Sequence, residues 1–365
     1  LANGRALLGR CAVSLAMVGC TPEDVVIEQP PPPYEGRSSA SCVAEPRAFA
    51  HVPGVLPELL GMGEVNLYVV ASAGTDGSGA QSLWRVPKDN SPPQRLATSE
   101  TPIRSLTADS DFGVTTLYWT TAGDGGATGA VWSLGSEPTD EPIVIASNRS
   151  APRLVLPESS NLYWFEQGKD SSGQSVEVLA EMLMTGGPIT RIQTFDADDV
   201  PAGIGGYDAI NAFFWTTGSE FLGNQSTSEV VEFPLSGSSG PVRITGPDAG
   251  GAGAIGLDAH GYGLLYSAPN AIIDVPLALD GGLGAPQTLA TTDGFVDDIE
   301  NDANSVYFVD RSTAQLMAVP RRDADAAPPA RTLANFLDPA TELELDDECV
   351  YWIDAPSATI MMVKK

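Results

Sequence analysis

Thr116-Leu117-Tyr118-Trp119, Asn161-Leu162-Tyr163-Trp164 and Cys349-Val350-Tyr351-Trp352 are three copies of one short motif, an aliphatic residue followed by two aromatic ones. Related stretches stand at Asn66-Leu67-Tyr68-Val69, Ala212-Phe213-Phe214-Trp215, Leu264-Leu265-Tyr266-Ser267 and Ser305-Val306-Tyr307-Phe308. The motif therefore recurs seven times, with spacings of 50, 45, 51, 52, 41 and 44 residues. A period of about 47 residues marks a repeat architecture.

Helical repeats would show an apolar period of 3.6 residues, which is missing here, and the spacing suits four-stranded propeller blades. Each repeat carries the same later landmarks. A Gly- or Ser-rich loop follows the aromatic strand, then a strand such as Ser82-Leu83-Trp84-Arg85-Val86-Pro87 or Gln315-Leu316-Met317-Ala318-Val319-Pro320. After a turn comes a short outer strand, as in Gln94-Arg95-Leu96-Ala97 or Arg331-Thr332-Leu333-Ala334. A further strand, such as Ile103-Arg104-Ser105-Leu106 or Glu342-Leu343-Glu344-Leu345, opens the next unit. Alternating apolar and polar positions fit strands whose faces pack against neighbouring blades.

The fold class expected is all-β, a seven-bladed β-propeller. Its seventh repeat has no outer strand after Ile360-Met361-Met362-Val363, and Pro46-Arg47-Ala48-Phe49-Ala50 has the look of that strand. An N-terminal strand closing the last blade removes an exposed sheet edge. It also brings Cys42 near Cys349. A disulfide between them would close a loop of roughly 300 residues and, in the chain-entropy model, stabilise the fold by restricting the unfolded chain; the alternative is two separate buried thiols.

Composition agrees. The 365 residues are 42% hydrophobic and 18% charged, which excludes disorder for most of the length. The 38 glycines and 29 prolines suit many tight turns and exclude long helices. Nineteen Lys and Arg against 47 Asp and Glu give a net charge of −28, which repels nucleic acid and anionic membrane surfaces.

Residues 1–20 place Arg5 and Arg10 before a short apolar run that ends in Met17-Val18-Gly19-Cys20, the layout of a secretory signal. A small residue directly before a cysteine resembles the lipobox of bacterial lipoproteins, and that resemblance implies acylation of Cys20. An ordinary signal peptide is the alternative. Residues 21–41, with Pro30 to Pro33 unbroken, read as a Pro-rich tether, and 42–365 as the propeller. The expected location is the cell envelope, in the periplasm or at the outer membrane or cell surface, with the lipid as the only tie to a membrane. Two end cysteines that can pair fit an oxidising compartment.

Tyr118-Trp119-Thr120, Phe214-Trp215-Thr216, Tyr307-Phe308-Val309-Asp310 and Tyr351-Trp352-Ile353-Asp354 resemble the repeats of the YWTD propellers of lipoprotein receptors. More loosely, they are similar to NHL and gluconolactonase-like propellers. YWTD propellers have six blades where seven repeats are counted here, and four repeats lack the Asp. A shared superfold does not transfer a function.

Candidate site residues follow from the architecture. Loops from an outer strand to the next inner strand lie at the channel mouth, and here they hold Glu100, Asp196, Asp198, Asp199, Asp248, Asp293, Asp297, Asp298 and Asp338. Asp196, Asp198, Asp199, Asp248, Asp293 and Asp338 are the candidates for a Ca²⁺ site, because that ion takes a ring of oxygen ligands. Gluconolactonase-like propellers use such a metal, so the resemblance implies a divalent-cation-dependent hydrolase or lyase as an alternative. The plainer reading is that Asp favours turns. Arg104, Arg149 and Arg153 near the same mouth could grip an anionic ligand or pair with carboxylates. His51 and His260 sit in no metal-binding spacing, and there is no Gly-x-Ser-x-Gly elbow or Walker loop, so no catalytic residue is expected. The leading expectation is an exported, lipid-anchored scaffold that binds a protein or small-molecule ligand without a cofactor. A purely structural envelope protein is the third possibility.

Overall fold

A computed structural model describes residues 25–27, 42–52, 56–73, 80–111, 114–123, 128–135, 140–158, 160–196, 200–207, 211–217, 229–234, 242–243, 255–257, 263–268, 270–276, 284–293, 296–302, 304–310, 312–321, 329–335 and 341–365. These residues form antiparallel sheets and no helix, and seven sheets are present among them. In six of them four consecutive strands pair in chain order. In the second, for example, Ile103–Asp111, Val114–Thr121, Thr128–Gly135 and Ile143–Ser150 pair in that order. The seventh takes Thr341–Leu345, Cys349–Asp354 and Thr359–Lys364 from the end of the chain and Arg47–His51 from its beginning. That outer strand runs antiparallel to Thr359–Lys364, with Arg47 opposite Met362 and His51 opposite Thr359.

The aromatic motif forms the second strand of each sheet, and its burial explains the choice of residues. Asn66–Ser72 and Asn161–Lys169 are buried on both faces over five or more successive positions. A strand sandwiched between two neighbouring sheets has no solvent side, so its sequence reads as a continuous apolar run rather than an alternation. Trp119, Trp164, Trp352, Tyr68, Tyr307 and Phe308 are among the residues buried there. Outer strands such as Ile143–Ser150 and Arg47–His51 are exposed at both ends and hold a single buried position between them.

Most cores among the described residues lie between sheets. Tyr68, Val70 and Leu83 of the first sheet pack with Leu117, Trp119 and Trp132 of the second. Tyr118 and Val131 of the second meet Leu162 and Trp164 of the third. Leu265 and Ile272 meet Ile299 and Phe308, while Tyr307 and Val309 meet Val350 and Trp352. Leu60, Leu67 and Val69 of the first sheet pack against Tyr351, Ile353 and Ile360 of the seventh. Within the second sheet Trp119 and Trp132 stack with centroids 5.9 Å apart and planes 5° from parallel. Gly129, on the neighbouring strand, leaves no room for a side chain: a Cβ there would lie 2.0 Å from the Thr121 carbonyl oxygen.

Cys42 and Cys349 are disulfide-bonded, with Cα atoms 5.9 Å apart and a sequence separation of 307. The bond sits beside the strand Arg47–His51, where Phe49 meets the Tyr351 ring edge-on at 5.2 Å. The N-terminal stretch departs from a simple tether. Val25–Ile27 lies antiparallel to Gln94–Ser99 as a fifth strand of the first sheet. A β-branched Val-Val-Ile triplet suits such an edge position. The rest of 1–41 lies outside the described residues, so Cys20 does too.

Candidate functional site

The first strand of each sheet lies innermost, and the register against the aromatic strands aligns one sheet with the next. Leu343 stands opposite Trp352, Ile299 opposite Phe308, Leu106 opposite Trp119 and Leu60 opposite Val69. Ile299, Leu343 and Leu60 are buried in the cores between sheets. The flanking residues alternate to the other side. They are Leu59 and Gly61 in the first sheet, Ser105 and Thr107 in the second, Asp298 and Glu300 in the sixth, and Glu342 and Glu344 in the seventh.

These flanking residues bond across the seams. Between the second and third sheets neutral hydroxyls are used: the Val155 N–H donates to Ser105 Oγ at 3.2 Å, and Thr107 Oγ1 donates to the Val155 carbonyl at 2.9 Å. Between the sixth and seventh, the Leu343 N–H donates to Asp298 Oδ2 at 2.6 Å while the Ile299 N–H donates to Oδ1 at 2.9 Å. Between the seventh and first, Glu342 accepts from the Leu60 backbone and Glu344 from the Met62 backbone. Glu300 accepts from the backbone of Asn301.

Four carboxyl groups are thus crowded on two adjacent inner strands. Loss of hydration, and then repulsion from Asp298, push Glu342 up to about 8. Glu344 is raised by the same two causes and by Glu342, against the opposing attraction of Lys88. Glu300 is raised well above the ordinary value, first by burial and then by Glu344 and Asp298. Glu342 also occupies a left-handed backbone conformation, φ 55°, in an irregular stretch of the ladder. Leu154, on the inner strand of the third sheet, has φ 53° at the matching place, so the bulge belongs to the repeat rather than to the acid.

At one end of the same seams a second pattern repeats. Asp302 and Asp346 each close the turn between the first and second strands of their sheet, accepting two backbone N–H bonds on Oδ1 and a tyrosine hydroxyl on Oδ2. The tyrosines are Tyr307, at 3.1 Å, and Tyr351, at 2.8 Å. Each Asp also reaches a lysine from the adjoining sheet, Asp302 to Lys365 at 2.8 Å and Asp346 to Lys88 at 3.3 Å. Burial pulls these two carboxyls up, but the turn amides and lysines outweigh it and leave both below the ordinary value.

Of the described residues singled out from the sequence, Asp298 belongs to this cluster. Asp293 is exposed, Asp196 ends the strand Thr190–Asp196, and Asp198, Asp199, Asp248, Asp338 and His260 lie outside the described residues. Among the described residues no three His, Cys, Asp or Glu side chains stand close enough to hold a metal ion. Arg149 makes a two-pronged ion pair with buried Glu166, its Nε 2.7 Å from Oε2, and Trp164 Nε1 donates to the same oxygen at 2.9 Å. Arg153 pairs with Glu177 at 2.8 Å, and burial still holds Glu177 above the ordinary value. Arg104 is exposed on the inner strand. The two paired arginines therefore serve internal carboxylates. His51 is exposed, with Nδ1 3.0 Å from the Ala358 carbonyl.

Asp298 belongs to the strand Val296–Asn301 rather than to a mouth loop. Glu300, Glu342 and Glu344 are absent from the sequence-based candidates. Part of their signal was available in Glu342-Leu343-Glu344, acids at alternate positions of a strand that the repeat had already placed, whereas Asp298-Ile299-Glu300 was read as beginning in a loop.

Neither a scan against models of protein families nor a search of curated proteins finds a match. Solved structures do match in fold. The β-propeller domain of the trilobed protease of Pyrococcus furiosus superposes with TM-score 0.55 at 9% identity, covering 83% of this chain and 90% of that one. The acylaminoacyl peptidase of Pyrococcus horikoshii gives 0.56 at 10% identity over 82% of this chain, which spans 48% of that enzyme. Sqt1 of Saccharomyces cerevisiae gives 0.50 at 7% identity, covering 89% and 99%. At these identities the likeness establishes the fold alone: the chain has a β-propeller architecture.

Proposed function

We propose that this protein is an exported, lipid-anchored binding scaffold built on a closed seven-bladed propeller. Ring closure is supported by the core shared between the seventh and first sheets, and by innermost strands that touch in cyclic order from Leu56–Met62 to Thr341–Leu345 and back. Export is supported by the disulfide and the signal-like residues 1–20, and acylation by the order Gly19-Cys20.

The observation that carries the scaffold reading is where the inner acids spend their oxygens. Asp298 spends both oxygens on backbone N–H groups, one of them in the next sheet, and like the hydroxyls of Ser105 and Thr107 at another seam it ties the ring together. The occupant is a protein or small molecule held on the loops and faces of this frame. The same acids favour a second reading. A carboxyl raised to about 8 beside other acids is what a general acid requires, and a divalent-cation-dependent hydrolase would use it.

Thermal melting of the full chain in EDTA, then in a Ca²⁺ titration, separates the two. A scaffold shows no saturable shift and no turnover of lactones or esters. A Ca²⁺-dependent rise, worth about 2.7 kcal/mol at a hundred times Kd, together with hydrolysis lost in Glu342→Gln, would replace the scaffold reading with the enzyme. Labelling with a fatty-acid analogue that disappears in Cys20→Ala tests the anchor.

A further inference from the structure

We infer that the N-terminal segment clamps onto the first sheet and thereby turns one side of the propeller, the side holding Ser99, towards a lipid surface; this rests on the reading that Cys20 is acylated. The backbone carries the argument. Val25–Ile27 lies against the outer strand Gln94–Ser99, with Val25 opposite Ser99, Val26 opposite Thr98 and Ile27 opposite Ala97. The pairing is antiparallel, so the chain reaches the first sheet from the Ser99 end and leaves it towards the Gln94 end. At the Ser99 end the chain also passes on to the next inner strand, Ile103–Asp111.

The outer strand that receives the segment differs from its counterparts. Gln94–Ser99 has three buried positions and no exposed one, whereas Ile143–Ser150, Gln287–Thr291, Arg331–Asn335 and Arg47–His51 each expose three or more. An added strand takes up backbone groups that an open sheet edge leaves unpaired. The occupant is the chain's own segment. Ile27 points the chain to the Gln94 end of the first sheet, and Cys42 is bonded to Cys349 at the corresponding end of the seventh, which packs against the first. The 14 residues between Ile27 and Cys42 reach about 50 Å when extended, enough to link two adjoining sheets. A second copy donating the strand would instead bring together two chains of net charge −28.

The consequence is a short leash. Four residues separate Cys20 from Val25, so a lipid on Cys20 lies at most about 18 Å from the strand that pairs with Ser99. With the strand undocked, the chain from Cys20 to Cys42 would reach about 75 Å and fix no orientation. The surface that suits this side is zwitterionic, since a charge of −28 repels an anionic one.

Two measurements on the full chain test this. Docking is read from the pair Val26→Cys, Thr98→Cys, because directly opposite residues lie about 4.5–5.5 Å apart at Cα, within the span of a disulfide. The two thiols should join within one molecule under mild oxidation, whereas Val26→Cys with Thr332→Cys, on the outer strand of the sixth sheet, should not. No link, or a link only between molecules, would overturn the clamp. Orientation is read from energy transfer between a dye on an introduced thiol and an acceptor on the headgroups of phosphatidylcholine vesicles that carry the acylated protein. The dye sites are Glu100→Cys, next to Ser99, and Glu64→Cys, at the opposite end of the first sheet, both exposed. The ends of a seven-residue strand lie about 20 Å apart, so transfer should be about twofold or more stronger from position 100. Val25→Pro, Val26→Pro and Ile27→Pro together remove every N–H of the docked strand and should abolish that difference. Equal transfer from the two sites of the docked protein, or stronger transfer from position 64, would overturn the orientation. The failures are distinguishable: a chain that forms the link but takes up no fatty-acid label refutes the anchor and with it the lipid-facing side, and one that takes up label without forming the link refutes the clamp.

Discussion

Cutting the Cys42–Cys349 bond is the perturbation whose size can be worked out most directly. The two residues are 307 positions apart, so the bond removes the entropy of closing a loop that contains almost the whole folded chain. The chain-entropy expression gives about 6 kcal/mol for such a loop. A folded region of about 320 residues has an unfolding entropy near 0.7 kcal/mol/K, so the loss should lower Tm by about 8 °C. The native side should change little. Cys42 and Cys349 lie beside a strand that keeps its ladder to Thr359–Lys364, and the Lys364 N–H still donates to the Val43 carbonyl at 2.8 Å. Phe49 likewise stays against Tyr351.

The assay is thermal and denaturant unfolding of the oxidised protein, the reduced protein and the Cys42→Ala, Cys349→Ala double variant. The reduced and double-variant proteins should agree with each other. Both should show a larger denaturant slope than the oxidised protein, because the uncrosslinked denatured chain exposes more surface. An oxidised protein that melts within about 2 °C of the reduced one would refute the loop-closure argument. A loss of protection confined to Thr359–Lys364 on reduction would show instead that the bond acts by holding the outer strand.

Two further perturbations probe the packing. Arg149→Met strands Glu166, which is nearly inaccessible to solvent, with only the Trp164 N–H as a named partner, and should cost about 3 kcal/mol in urea unfolding. Adding Glu166→Gln should recover part of that loss; no recovery would mean that Arg149 acts through its aliphatic stem. Gly129→Ala drives a methyl group into the Thr121 carbonyl and Pro152, and should destabilise by about 1–3 kcal/mol in the same assay.

The repeat was legible because a strand buried on both faces must be apolar throughout, and seven copies of that constraint leave seven copies of an aromatic run. The pairing of Arg47–His51 with Thr359–Lys364 was legible for a related reason: a repeat without an outer strand and a spare strand before the first repeat complement each other. The pairing of Cys42 with Cys349 then followed from placing those strands side by side.

The site was legible only in part. Glu342 and Glu344 stand at alternate positions of a strand that the repeat already placed innermost, yet nothing local marks them off from the many acids of a chain with a net charge of −28. Their character comes from Asp298, more than 40 residues away in sequence, and from the Leu60 and Met62 backbone, more than 280 residues away. The same holds for Arg149 and Arg153. Their charge and position in sequence allowed an anionic ligand, and only the packing of strands supplied Glu166 and Glu177 as their partners. Sequence determined strand order and burial, because those depend on residue type and period. Tertiary structure decided the ionisation and pairing of the polar residues, because these are set by neighbours that the chain brings together only when the sheets pack.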